Sequence, residues 1–187
     1  SCTTRFMPVA LQSIFGPDEL LVAETPRARA KHGDTLRHEC EITPIKVPRA
    51  TEEKAWWRMF NALTEAVPAE TTLLVDITHG FRSQPFLSLA VIVYLRVVKD
   101  IEVERIVYGA YEAGENRTSP VVDLTSFLNL IDWAKATEQF KQYGDAAPLQ
   151  DMFDDLADEG TLGNRSALHL KPAGRTLRRL TQALSLN

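Results

Sequence analysis

In Asp76-Ile77-Thr78-His79-Gly80-Phe81-Arg82-Ser83-Gln84-Pro85 a dense set of polar side chains lies between two apolar runs. The run before it, residues 71–75, has the length and β-branched character of a strand buried on both faces of a parallel sheet. The run after it continues to residue 98 and is helical in length. Between them Gly80 permits a tight turn and close backbone approach, while Thr78, His79, Arg82, Ser83 and Gln84 gather where a strand hands over to a helix. Ligands of open α/β sheets bind at that position. A helix N-terminus beside an Arg and several hydroxyl and amide groups suits phosphates and nucleobase edges.

The same alternation extends in both directions. A helix is predicted from Phe6 to Phe15, with Thr3 or Thr4 as its N-cap, Pro8 in its first turn and Gly16-Pro17 as its stop. A short strand follows at residues 20–23. Residues 24–41, rich in Pro, Arg, Lys, His and Gly, read as an exposed connection. A strand at 43–47 leads to an amphipathic helix at 50–67, with Trp56, Trp57, Phe60, Leu63 and Val67 on its apolar side. Strand 103–108 and the run 121–124 form a hairpin at the end of the sheet. The fold class is α/β: a Rossmann-like, mostly parallel sheet flanked by helices. From Ser126 the pattern is helical up to Gly144, with shorter helical patterns at 149–156 and 168–186. The main domain is therefore expected over residues 1–145 and a small helical appendix over 146–187.

Composition narrows the function. At 187 residues and 44% hydrophobic content the chain holds one α/β domain and a small addition. A net charge of −4 argues against broad nonspecific nucleic-acid binding, so an anionic ligand must be held locally. Cys2 and Cys40 form no CxxC and no zinc-spaced cluster, so no metal or cofactor is expected and a reducing cytoplasm fits best. The most apolar segment, residues 86–98, is interrupted by Ser88 and Arg96 and is shorter than the roughly 20 residues a membrane span needs. It reads as a buried helix, and no signal-peptide pattern is seen at the start.

Each polar residue of the central stretch has two readings. His79 is either a hydrogen-bonded structural residue or a ligand contact. Asp76, at a strand end, caps the next turn through backbone N–H groups. Arg82 in a helix's first turn calls for an anion, from a ligand or an ion-pair partner. Thr78, Ser83 and Gln84 either donate to a phosphate or nucleobase edge or cap the helix, and Thr3, Thr4 and Arg5 offer a second polar rim or simple capping. Arg27 and His32 have the spacing of a class of metal-independent RNases whose pair lies on a helix. Within a polar loop that spacing reads as coincidence. The acidic cluster Asp151, Asp154, Asp155, Asp158 and Glu159 is interleaved with Met152, Phe153 and Leu156 at helical spacing and reads as a solvated helix face. These readings end at an anion- or nucleotide-binding α/β domain.

Residues 75–85, followed by Val107-Tyr108-Gly109-Ala110 and Val122-Asp123-Leu124-Thr125, resemble the CRISPR-associated Rossmann-fold (CARF) sensor family of type III ancillary effectors. The resemblance covers roughly residues 1–145. It implies a homodimer whose shared two-fold pocket binds a cyclic tetra- or hexa-adenylate, with no cofactor and no membrane partner. Carried onto this sequence, it assigns Thr78, His79, Gly80, Phe81, Arg82 and Ser83 to the ligand loop, Tyr108 and Gly109 to the neighbouring strand end, and Thr3 and Thr4 to the first helix start. Some members of the family cleave their ligand, which makes a ring nuclease the alternative activity, and an RNase effector using Arg27 and His32 is a third. The family's first strand, its Gly-containing loop and an effector domain are not in this sequence. The resemblance therefore implies a sensor portion of a longer protein, with the effector in the same full-length chain.

Overall fold

The computed structural model describes residues 4–49, 52–79, 84–114 and 118–158, together with 172, 174–176, 179 and 183. In chain order the elements are α1 (Met7–Phe15), β1 (Leu21–Glu24), α2 (Pro26–Glu39), β2 (Thr43–Lys46), α3 (Glu53–Ala66) and β3 (Thr72–Asp76). They continue with α4 (Gln84–Val98), β4 (Glu102–Gly109), β5 (Val121–Asp123), α5 (Ser126–Tyr143) and α6 (Ala147–Asp158). β1 pairs parallel with β2, β3 parallel with β4, and β4 antiparallel with β5. The fold is thus mixed α/β, with two small, mostly parallel sheets among helices in a Rossmann-like arrangement. The expected hairpin is β4–β5, with Val107 opposite Asp123 and Gly109 opposite Val121.

Two compact units divide the chain, Ser1–Thr125 and Ser126–Asn187. The division falls earlier than the 145/146 boundary expected from sequence. α5 goes with the second unit, where its Trp133 meets Phe153 of α6 edge to face at 5.0 Å.

In the first unit, neighbouring residues of a strand serve opposite layers. Leu73 of β3, with Leu21 of β1 and Val103 of β4, packs on a buried cluster of Val67, Val91, Leu95 and Ile101. Leu74 instead joins Met7 and Leu11 of α1 and Val107 of β4. Helices α3 and α4 therefore cover one side of the strands and α1 the other. β3, packed on both faces, is still only half-buried, and among the described residues it has β4 on one edge and no strand on the other. α4 is likewise not buried all round: Val91, Ile92 and Leu95 face the core while Phe86 is 76% exposed. Trp57, expected on the apolar side of α3, is 60% exposed and meets Phe60 edge to face. Among the described residues no helix is long and apolar enough to cross a membrane.

One segment corrects the sequence reading. Residues 24–41, expected to be an exposed connection, contain the 14-residue helix α2. Its start is built by Thr25, whose Oγ1 accepts from Ala28 N–H at 3.2 Å, and by Pro26 in the first turn. Arg37 and His38 in the last turn suit the negative end of the helix dipole. Within α2 only Gly33 and Leu36 are buried, so hydropathy hides the helix. Its anchor is polar: Arg37 donates to the Glu24 carboxylate at 2.6 Å, and Glu24 is 5% exposed at the end of β1. A Cβ on Gly33 would lie 2.5 Å from Arg37 Nη1, so the missing side chain gives the guanidinium its route along the helix.

The entry to α1 also differs. Phe6 occupies the N-cap without a side-chain bond, and Thr4 Oγ1 accepts from Phe6 N–H at 3.1 Å, shaping the turn before the helix rather than capping it. Gly16 ends α1 in the left-handed region at φ 59°, as its place in the sequence predicts.

Candidate functional site

β3 and β4 run parallel and end side by side, which is where an α/β sheet offers a ligand its C-terminal edge. The backbone ladder reaches Ile77, whose N–H donates to Val107 O at 3.0 Å. One step further, Gly109 N–H donates at 2.7 Å to the Thr78 hydroxyl, which takes the place of a ladder carbonyl. Thr78 O–H in turn donates to Asp76 Oδ1, and the same carboxylate oxygen accepts Thr78 N–H at 2.9 Å. Asp76 thus caps the turn as its strand-end position predicts. The Thr78 hydroxyl proton is committed to Asp76. Gly109 is required by close approach, since a Cβ there would lie 3.1 Å from Thr78 Cγ2 and 3.5 Å from Met7 Sδ. Met7 also brings the start of α1 to this edge.

The motif recurs on the other edge of β4. Thr125 Oγ1 accepts from Ile106 N–H at 3.0 Å, and Thr125 N–H and O–H both donate to Asp123 Oδ1. Two Asp-x-Thr turns thus hold one strand from both sides. Their carboxyls are tuned in opposite directions. Burial pushes Asp76 above the ordinary aspartate range despite the two Thr78 bonds and His79 nearby. Asp123 is exposed, so the Thr125 hydroxyl and backbone bonds draw it below that range, with Arg105, 3.5 Å away, adding to the effect.

The signs give a pH prediction. A carboxyl raised in the folded state supports stability at low pH and loses that support as pH rises through its folded value. A lowered one supports stability above its ordinary value and loses it as pH falls. Urea unfolding of wild type, Asp76→Asn and Asp123→Asn from about pH 3 to about pH 7 should therefore give wild-type-minus-variant differences of opposite slope. Slopes of the same sign would refute this assignment.

Beyond the strand ends, the rings of His79 and Tyr111 stack at 5.8 Å between centroids with 26° between planes. The Tyr111 hydroxyl and His79 Nε2 are hydrogen-bonded at 3.3 Å. Tyr111 begins a short 3-10 turn, Tyr111–Ala113, directly after β4. Partial burial, then the Asp76 carboxylate, raises its phenol above the usual value. Tyr108 lies apart from this group: its hydroxyl donates to Glu112 at 3.2 Å, and that bond holds its pKa up.

Of the residues expected at the site, the structure brings together Thr78, His79 and Gly109. Thr4 stands in the turn ahead of α1, and Tyr108 is engaged with Glu112. Thr3, Gly80, Phe81, Arg82 and Ser83 lie outside the described residues. Tyr111 is the member that sequence reasoning missed; its signal is an aromatic residue just past a strand end, in Tyr108-Gly109-Ala110-Tyr111.

Arg27 and His32 lie on helix α2 rather than in a loop, which removes the reason for treating their spacing as coincidence. Positions five apart on an α-helix are nevertheless rotated by about 140°, and the His32 ring packs edge-on against Phe6 at 6.0 Å. The two side chains therefore leave the helix in different directions. Asp151, Asp154 and Asp155 lie along α6 as the helical spacing predicts, and among the described residues no group of three or more His, Cys, Asp or Glu is placed to hold a metal ion.

No family model matches the chain. Over 111 residues it is 26% identical to the CRISPR-associated protein MJ1674 of Methanocaldococcus jannaschii. The matched stretch takes in 58% of this chain and 17% of that protein, so the chain spans a small part of its relative's length. That similarity supports a CRISPR-associated protein, and goes no finer.

Proposed function

We propose that this chain is the sensor portion of a type III CRISPR ancillary effector, binding a cyclic oligoadenylate at the C-terminal edge of β3 and β4. The observation that carries the reading is the strand-end arrangement: Thr78 locks the end of β4 to the end of β3, and the His79–Tyr111 pair stands directly beyond it. The similarity to a CRISPR-associated protein supports the same reading. A cyclic ligand with repeated phosphates and adenines suits a site duplicated across a two-fold axis, so the acting species is a homodimer in the cytoplasm. The helices behind Gly144 then pass a change of dimer geometry to an effector domain of the full-length protein. β1 and β3 each leave one edge unpaired among the described residues, while Leu21 and Leu73 pack on one apolar cluster. A strand ahead of α1, of the kind the family resemblance implies, would fit against these two edges.

Titration of the full-length protein with cyclic tetra-adenylate and cyclic hexa-adenylate tests this reading. Binding of one ring is expected, with about a tenfold loss in Arg82→Ala and no loss of folding, since one charge-assisted contact is removed. Failure of both rings to bind would refute it. Unchanged affinity in Arg82→Ala would place that guanidinium in an ion pair within the protein.

A further inference from the structure

The His79–Tyr111 pair is built unlike a core contact. Neither ring is buried, and Tyr111 is 51% exposed. A centroid separation of 5.8 Å is an offset stack, which leaves ring area on both partners uncovered. Two residues on different strand ends, 32 positions apart, are tied by the bond between the Tyr111 hydroxyl and His79 Nε2. The tie limits the freedom of both rings before any ligand arrives, which lowers the ordering cost of binding. Beneath them Thr78, Asp76 and Gly109 fix the backbone from which both rings project. The result is an outward-facing aromatic shelf on a rigid base, at the edge of the sheet where ligands bind.

We propose that Tyr111, held by His79, is a base-stacking residue of this site, receiving one adenine of the ligand through its π face. This rests on the oligoadenylate reading above and adds to it a residue and a mode of contact. Stacking recognises the flat surface common to all bases, so the shelf supplies affinity rather than discrimination among bases.

The test is titration of the full-length protein with cyclic tetra-adenylate and cyclic hexa-adenylate, unlabelled and with one adenine replaced by 2-aminopurine, whose fluorescence falls on stacking. Tyr111→Ala is expected to lose roughly 10- to 100-fold in affinity together with the fluorescence quenching, whereas Tyr111→Phe and Tyr111→Trp stay within about threefold of wild type. Tyr111→Leu keeps an apolar side chain without a π face and is expected to bind as weakly as Tyr111→Ala, which separates stacking from a folding defect. Wild-type affinity in Tyr111→Ala, or equal weakness of the Phe and Ala variants, would overturn the stacking role and leave the sensor reading in place. No binding of either ring by the wild-type protein would overturn both.

Discussion

Thr78→Val is expected to lower stability by about 2–4 kcal/mol, because one substitution orphans the buried Gly109 N–H and strips the Asp76 carboxylate of its hydroxyl donor. Valine matches threonine in shape, so the loss is polar and not steric. At about 2–4 °C per kcal/mol for a chain of this length, the melting temperature falls by roughly 4–16 °C. Thr78→Ser, which keeps the hydroxyl, should recover all but about 1 kcal/mol. The deficit should also narrow as pH falls, since a protonated Asp76 no longer needs a donor, and burial already raises its pKa. Urea unfolding of the three proteins at two pH values checks this. A valine variant that unfolds with wild type would mean that the hydroxyl bridge contributes nothing.

Arg37→Met is expected to cost about 2–3 kcal/mol. It leaves Glu24, 5% exposed at the end of β1, without its cation, and removing one partner of a buried pair is more damaging than removing both. The figure lies below the usual range for buried pairs because the Arg37 side chain is 32% exposed and water already shares the charge. Arg37→Met combined with Glu24→Gln should therefore be more stable than Arg37→Met alone. A double variant no better than the single one would show that the loss comes from the packing of the arginine stem. Thermal melts of the three variants distinguish the outcomes.

These positions also show what the sequence made legible. β1 and β3 are short apolar runs bounded by polar segments, and such runs announce themselves. α2 does not, because it buries Gly33 and Leu36 and is otherwise held by Arg37 on Glu24, a contact thirteen residues long that no periodicity encodes. The Thr25-Pro26 start signal is present in the sequence, but the surrounding composition outweighs it. Both Asp-x-Thr tripeptides, Asp76-Ile77-Thr78 and Asp123-Leu124-Thr125, can be read in one dimension. Their opposite electrostatics cannot, since these depend on which carboxyl the fold encloses. Tyr111 is hidden for a related reason: it meets His79 only because β3 and β4 are parallel neighbours that end together. Asp76 and Gly109 fall where a strand-to-helix site puts them, and the residues between Gly80 and Ser83 remain an expectation for the binding experiments.

The contact of Gly33 with Arg37 reaches beyond stability into heredity. A side chain at position 33 would meet the far end of the Arg37 side chain, which would have to shift to keep its bond to Glu24, so the choice of residue at 33 bears on the pair formed by 24 and 37. Positions 24, 33 and 37 form one inherited unit, spread over a strand and a helix, that should be gained or lost together among descendants of a common ancestor.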